Sequence, residues 1–366
     1  MSDLATTVTV IDACGRAHVP VLLLSDPGMG KSSLVRGVAA ADGVPCETVL
    51  GSIREPADVA GLPIITDDGV VLDPPAWAKR LQAAQAGYLF LDELTTCPPA
   101  VQAAMLAVAL DRTVGDLRLP DEVRVVAGAN PPDRAADGWE ISPPLANRFC
   151  HLGYAPSVDE WLDGMTTGWP APPASRAVST DSVRAAALVA AVCGFVRTRP
   201  ALLHAFPDTA AATGGPWPSR RSWSMLAAAL AHVRSADHAA TQAVAFGLVG
   251  EGTGVEFLTW RREADLPDPA AVVAEPSIVA WGDRPDRVWA VLSGVVAWSV
   301  ARGTVEAWRQ AWGPLLAAAA HGAPDVAAAA ARGLGRARPA KAAVPAAVRK
   351  QFAPILTAAG LTEGAA

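Results

Sequence analysis

The stretch SDPGMGKSS, residues 25–33, sets Asp26, Pro27, Gly28, Met29, Gly30, Lys31, Ser32 and Ser33 behind the apolar run PVLLL. A loop that wraps phosphates asks for Gly, four residues, Gly, Lys and a hydroxyl, and Gly30, Lys31 and Ser32 fill the last three places in order. Ser25 stands where the pattern has its first Gly. Glycines let the main chain curl close to an anion, and the N–H groups that open the following helix point at it. Lys31 then neutralises the outer phosphate oxygens, and the Ser32 hydroxyl ligates Mg2+.

Three later positions supply what phosphoryl chemistry still needs. In YLFLDEL an apolar run ends on adjacent carboxylates, Asp92 to hold Mg2+ through its water shell and Glu93 to polarise an attacking water. VVAGANPP ends on Asn130, whose amide can orient that water or touch the terminal phosphate. PPLANRF places Arg148 beside the anchoring Phe149, where a guanidinium can reach the phosphate held by a neighbouring subunit.

Positioning these groups requires a parallel sheet, because ligands gather at the C-terminal ends of its strands. Five short, nearly continuous apolar runs read as strands buried on both faces: residues 20–25, 46–51, 88–93, 123–130 and 149–154. Helical patterns separate them, the first starting near Lys31. Two hairpins are expected between them, at 63–73 with a turn at Asp68 and Gly69, and at 112–120 with a turn near Gly115 and Asp116. After residue 155 the chain turns helical, as in 183–197, 221–234 and 308–320. Pro- and Gly-rich stretches at 168–175, 207–219 and 264–276 read as linkers. The expected fold class is α/β, a five-stranded parallel sheet with flanking helices over 1–154, then a helical lid over 155–250 and a helical region over 251–366.

Composition narrows the function classes. The 366 residues are 51% apolar and 18% charged, with net charge -6 and a pI of about 5.5. That balance gives no general pull on nucleic acid or an anionic membrane. The cysteines at 14, 46, 97, 150 and 193 lack CxxC spacing and do not cluster with the six histidines, which reads as reduced thiols and a cytoplasmic setting. No signal peptide is read at the N-terminus. The uncharged run 288–301 is shorter than the roughly 20 residues of a membrane helix and reads as a buried helix. From Val326 to Thr362 six basic residues stand with no acidic one, a solvated helical tail or a docking surface for an acidic partner.

The series SDPGMGKS, YLFLDE, GANPP, LANRF and PSRRSW resembles an AAA+ ATPase of the MoxR group, the helix-2-insert clade of P-loop NTPases. EPADVAGLP, PPAWAKRL and VQAAMLAVALDRTVGD are similar to that family's connecting segments, so the resemblance covers roughly residues 15 to 250. It implies an ATPase using ATP and Mg2+, with Asp26 to Ser33 as the Walker A loop and Asp92 and Glu93 as the Walker B pair. Asn130 matches sensor 1 and Arg148 the arginine finger acting in trans. Either Arg220 or Arg221 matches the sensor 2 arginine of the lid, with the spacing from Ser219 favouring Arg221. The two hairpins correspond to the inserts that face a central pore. The resemblance further implies a ring, usually hexameric, a partner with a von Willebrand factor A domain, and a remodelling chaperone role on a client that the sequence does not name.

Three other readings compete. A nucleic-acid motor has only the basic segment 326–362 in its favour. A non-hydrolysing nucleotide-gated scaffold would be expected to lack one of Lys31, Asp92, Glu93, Asn130 and Arg148. A metal-chelatase ATPase subunit shares the machinery and the von Willebrand partner.

Overall fold

A computed structural model describes residues 3–67, 69–131, 139–282, 284–340 and 342–358, without the side chains of 210–211 and 355–358. Its strands are β1 (Val21–Leu24), β2 (Cys46–Leu50), β3 (Leu62–Thr66), β4 (Gly69–Asp73), β5 (Ala86–Asp92), β6 (Thr113–Val114), β7 (Leu117–Arg118), β8 (Glu122–Ala129) and β9 (Cys150–Gly153). Its α-helices are α1 (Leu4–Arg16), α2 (Lys31–Ala41), α3 (Pro56–Ala60), α4 (Ala76–Ala84), α5 (Pro99–Asp111), α6 (Pro143–Ala146), α7 (Val158–Thr167), α8 (Ser182–Thr198), α9 (Ala210–Thr213), α10 (Arg220–Ala231), α11 (His238–Val249), α12 (Glu251–Ala264), α13 (Pro269–Ala274), α14 (Pro285–Arg302), α15 (Val305–Ala320), α16 (Pro324–Arg336) and α17 (Ala346–Ala358).

The chain divides into two compact units, one from residues 1–179 and 204–255, the other from 180–203 and 256–366. In the first unit the five expected strands form one parallel sheet in the order β2-β5-β8-β1-β9. Every residue of β5 from Gly87 to Leu91 is buried, as a central strand covered on both faces must be. The core behind it joins Leu22, Leu89, Leu91, Val125 and Ala127 of the sheet to Leu81 of α4 and Met105 of α5. Each such side chain contributes about 1.5–3 kcal/mol on burial. Helix α1 packs on β8 and α11 on β9.

Arg124 of β8 ties this unit together. Its guanidinium reaches Asp12 of α1 at 2.7 Å, Asp42 at the end of α2 at 2.7 Å and the Tyr88 hydroxyl of β5 at 2.8 Å. Gly15 leaves room for the arginine stem, since a Cβ there would come within 2.6 Å of Arg124 Cγ.

Both hairpins are present, β3 against β4 and β6 against β7. Asp68, expected in the first turn, lies outside the described residues. The hairpins meet main chain to main chain: a Cβ on Gly115 would stand 2.5 Å from Leu72 O, and Leu72 N donates to Asp116 Oδ2 at 2.9 Å. The first hairpin is open to solvent, with Ile65 90% exposed.

In the second unit α8 packs on α14, where Gly194 allows contact with Ala290. This packing sets α8 apart from the segment 155–250 with which the sequence grouped it. The core is built on Trp308 and Trp312, edge to face at 5.5 Å, with Leu292, Leu315 and Leu334. Trp308 Nε1 donates to Leu334 O at 2.8 Å. The run 288–301 lies within α14 and buries one side of it, with Val288, Val291, Leu292, Val295 and Trp298 inside and Val300 55% exposed. Two of the expected linkers carry short helices, α9 and α13; the latter starts because Asp268 caps it and Pro269 fits its first position. The described part of the basic segment is helical in α16 and α17; Lys341 and residues 359–362 fall outside it. Among the described residues no helix is long and apolar enough to cross a membrane. All five cysteines are free thiols.

Candidate functional site

Sheet register brings the chemistry to one edge. Leu24 pairs with Ala129 and Leu91 with Ala127, so Ser25, Asp92 and Asn130 leave neighbouring strands on the same side. The chain runs from β1 out to β2, returns through β5 and β8, and passes β1 to reach β9. Ligand crevices open at such a switch in direction.

From Ser25 the loop passes Asp26, Pro27, Gly28, Met29 and Gly30 into α2. Gly28 and Gly30 have φ of 81° and 85°, and a Cβ on either would meet nothing within 4 Å, so the cradle they line is open. Gly30 caps α2 without a side-chain hydrogen bond, which leaves the amides of its first turn, from Lys31 to Ser33, facing the loop. A helix start of this form attracts anions, and the loop fits the phosphates of a nucleotide.

Lys31 is buried and held by oxygen. Its Nζ donates to Asn130 Oδ1 at 2.7 Å, to the carbonyl and hydroxyl of Ser25 at 3.0 Å each, and lies 3.4 Å from Asp26 O. Burial lowers its pKa, while the carboxylates of Asp92 and Asp26 oppose that shift. The residue that departs from the loop pattern, Ser25, thus serves as a ligand for the lysine.

Ser32 Oγ donates to Asp92 Oδ2 at 2.7 Å, and Asp92 Oδ1 accepts from Glu93 N at 2.9 Å. A hydroxyl and a carboxylate in contact are the hard oxygen donors that Mg2+ takes, so this pair fits the ion. Gly128 of β8 makes the space, because a Cβ there would stand 2.7 Å from Asp92 Oδ1. Glu93 follows with φ 60° and ψ 42°, a left-handed conformation that a residue with a side chain adopts at a cost. Its carboxylate accepts a hydrogen bond from the Ser52 hydroxyl. Burial first, then the charges of Glu93 and Asp92, push the neighbouring Cys97 thiol up to about 12.

Asn130 is clamped from behind by Thr95, whose hydroxyl takes the Asn130 N–H at 3.3 Å and donates to its carbonyl at 3.2 Å. Arg148, half-buried, donates to Pro144 O. Burial, then the charge of Arg221, presses its pKa down, with Asp111 opposing. Arg220 and Arg221 are the first two residues of α10, both exposed.

The structure therefore joins Lys31 to Asn130 and Ser32 to Asp92 in two hydrogen-bonded pairs on adjacent residues of α2, and sets Glu93 beside them. Arg148 feels the charge of Arg221; among the described residues neither hydrogen-bonds to these pairs. The sequence reading missed Ser25 as a ligand, and also Ser52, Thr95 and Asn147, which support Glu93, Asn130 and the Arg148 turn. Only Asn147 carried a signal, as the polar neighbour of Arg148 in PPLANRF.

Residues 20–149 match the family model described as AAA domain (dynein-related subfamily). The transcriptional regulatory protein XylR of Pseudomonas putida is 30% identical over 132 residues, which is 33% of this chain and 23% of that protein. The chain thus spans under a quarter of that relative's length. Among solved structures, an ATPase candidate from Cytophaga hutchinsonii aligns with a TM-score of 0.39 and 16% identity, over 60% of this chain and 70% of that one. The matched segment contains the phosphate-loop lysine, the carboxylate pair, Asn130 and Arg148, and four of the five strands of the sheet: over residues 20–149 the chain is similar to an AAA domain.

Proposed function

We propose that the protein hydrolyses ATP with Mg2+ at this edge of the sheet. The observation that carries the reading is the meeting of Lys31 with Asn130 and of Ser32 with Asp92, four side chains from three separate segments, over an open loop and an uncapped helix start. In this reading the loop from Asp26 to Ser33 holds the phosphates, and Ser32 and Asp92 hold the metal ion. Bound Mg2+ supplies charge neutralisation at the phosphate oxygens. Glu93 takes the proton of the attacking water, and Asn130 orients that water.

We further propose that the working form is a ring of copies, hexameric as in MoxR-type ATPases, with Arg148 of one subunit serving the site of the next. Its role is then to remodel or mature a partner complex together with a von Willebrand factor A domain protein. The chain's resemblance to that group and the exposure of Arg221 next to Arg148 support this finer reading.

A second reading, a nucleotide-gated scaffold, draws on one observation. One oxygen of the Glu93 carboxylate is engaged by Ser52, which competes with an attacking water for it. ATP turnover per subunit, measured as protein concentration rises and beside Glu93→Gln, separates the two. Turnover that climbs with concentration and vanishes in the variant supports a self-assembled hydrolase. Tight nucleotide binding with no turnover at any concentration supports the scaffold.

A further inference from the structure

Asn147 stands beside Arg148 in the chain, yet its side chain belongs to a different element. It follows α6, and its amide turns into the unit's interior toward the start of α10. Nδ2 donates to Trp217 O at 2.9 Å, and Oδ1 accepts from Ser219 Oγ at 2.5 Å. Ser219 is the N-cap of α10: its Oγ accepts from Ser222 N at 3.1 Å, and its N–H donates to Ser222 Oγ at 2.8 Å. Ser222 Oγ reaches back to Trp217 O at 3.1 Å.

Hydrogen counting makes the arrangement specific. Ser219 has one hydroxyl hydrogen, spent on Asn147, which leaves its oxygen to accept from Ser222. Asn147 offers a donor and an acceptor on one planar group, and both are used. A carboxylate in its place would set oxygen against the Trp217 carbonyl, and an apolar side chain would leave that carbonyl and the Ser219 hydroxyl one partner short. Asn147 and Ser219 are each only 5% exposed, so water offers little replacement. A buried polar group of this kind costs stability when half-satisfied, which ties the two elements firmly.

The two elements are the ones that carry the arginines. The residue after Asn147 is Arg148, and the two residues after Ser219 are Arg220 and Arg221. Arg148 and Arg221 sit close enough for the second to depress the first.

We propose that Asn147 is a positioning residue that locks the turn bearing Arg148 to the first turn of α10, so that Arg148 and Arg221 move as one piece. The proposal rests on the hydrolysis reading above for its functional meaning. A subunit in which α10 responds to its own nucleotide then moves the arginine it offers to its neighbour, and the link between sites runs through one amide.

The test uses the full chain with Asn147→Leu, Ser219→Ala and Ser219→Thr. The first two are expected to lower kcat by roughly tenfold or more while KM for ATP stays within about twofold, and Ser219→Thr, which keeps the hydroxyl, to turn over like the unaltered protein. In the native background Arg148→Ala and Arg221→Ala should be non-additive in kcat, and in Asn147→Leu they should add. Unchanged kcat in Asn147→Leu overturns the proposal. So does a loss of kcat matched by an equal loss of folded protein. Amide exchange over 143–150 and 217–223 reads the linkage without hydrolysis: Asn147→Leu should loosen both segments together, and loosening of one alone overturns the proposal. If the unaltered protein binds ATP and never hydrolyses it, the hydrolysis reading fails and the exchange result alone decides the role of Asn147.

Discussion

The Lys31 ammonium donates to the Asn130 amide oxygen across 2.7 Å and to the Ser25 hydroxyl and carbonyl at 3.0 Å each. An incoming phosphate must share or take that ammonium from protein oxygens. Ser25→Gly removes the hydroxyl and restores the usual residue of the loop while the carbonyl stays. A hydrogen bond to a charged group contributes about 1.5–3 kcal/mol, part of which the phosphate recovers, so nucleotide affinity should rise by roughly threefold. Titration with a fluorescent nucleotide checks it. Weaker binding would mean that the hydroxyl presents Lys31 to the phosphate instead of competing with it.

Asp92 and Ser32 lend themselves to a metal-removal test. Asp92→Asn should cut Mg2+-supported turnover by about 100-fold or more, with nucleotide binding in chelator little changed. Gly128→Ala should lower turnover as well, because its Cβ would stand 2.7 Å from Asp92 Oδ1. Turnover measured against Mg2+ concentration reads both. A Gly128→Ala protein with the ordinary Mg2+ dependence would show that the space beneath Asp92 is not needed.

Much of this edge was legible in the residues. PVLLL and YLFLD read as strands covered on both faces, being short apolar runs between helical patterns, and glycines followed by Lys and Ser can start a helix without a cap. Pairings across the sheet were not legible. Ser52 meets Glu93 because Leu50 lies in register with Asp92, a relation absent from either local sequence. Asn147 and Ser219 meet because the turn after α6 and the cap of α10 fold together, which no spacing announces. The grouping of α8 failed to show for a similar reason: its Ala-rich surface fits many partners, and α14 is far along the chain.

His151 should make the protein sensitive to acid. Its Nε2 pairs with Ala146 O at 2.8 Å, its Nδ1 has no partner among the described residues, and burial lowers its pKa to about 4. Between pH 6.5 and about 4 the unfolded chain binds a proton that the folded chain refuses. This contribution is fully present above pH 6.5 and is lost as pH falls toward 4, on the order of 3 kcal/mol. His151→Gln should flatten urea-unfolding stability against pH across that window. An unchanged slope would place the acid sensitivity elsewhere.

Arg124 is the expected weak point of the first unit. Arg124→Met would leave Asp12, buried at 8% side-chain exposure, without this partner and remove its links to Asp42 and the Tyr88 hydroxyl. Arg16 still reaches Asp12 Oδ1 at 3.0 Å, so a loss of about 2 kcal/mol in unfolding free energy is expected, less than for a buried charge left with no partner. Denaturant unfolding measures it. A change under 1 kcal/mol, roughly the size of a surface pair, would mean that water reaches Asp12 freely.

The packing of α8 on α14 has a consequence for the order in which the molecule can be made. A ribosome delivers α8 early, between two stretches of the first unit, but Ala290 and the face that receives Gly194 emerge only after α11 and α12 have been synthesised. During that interval α8 is a nascent helix with its apolar side uncovered, a species open to chaperones and proteases. Shortening the gene after α12 would make this transient state permanent, so the first unit cannot be cut free by a stop codon there without orphaning a helix that belongs to the other unit.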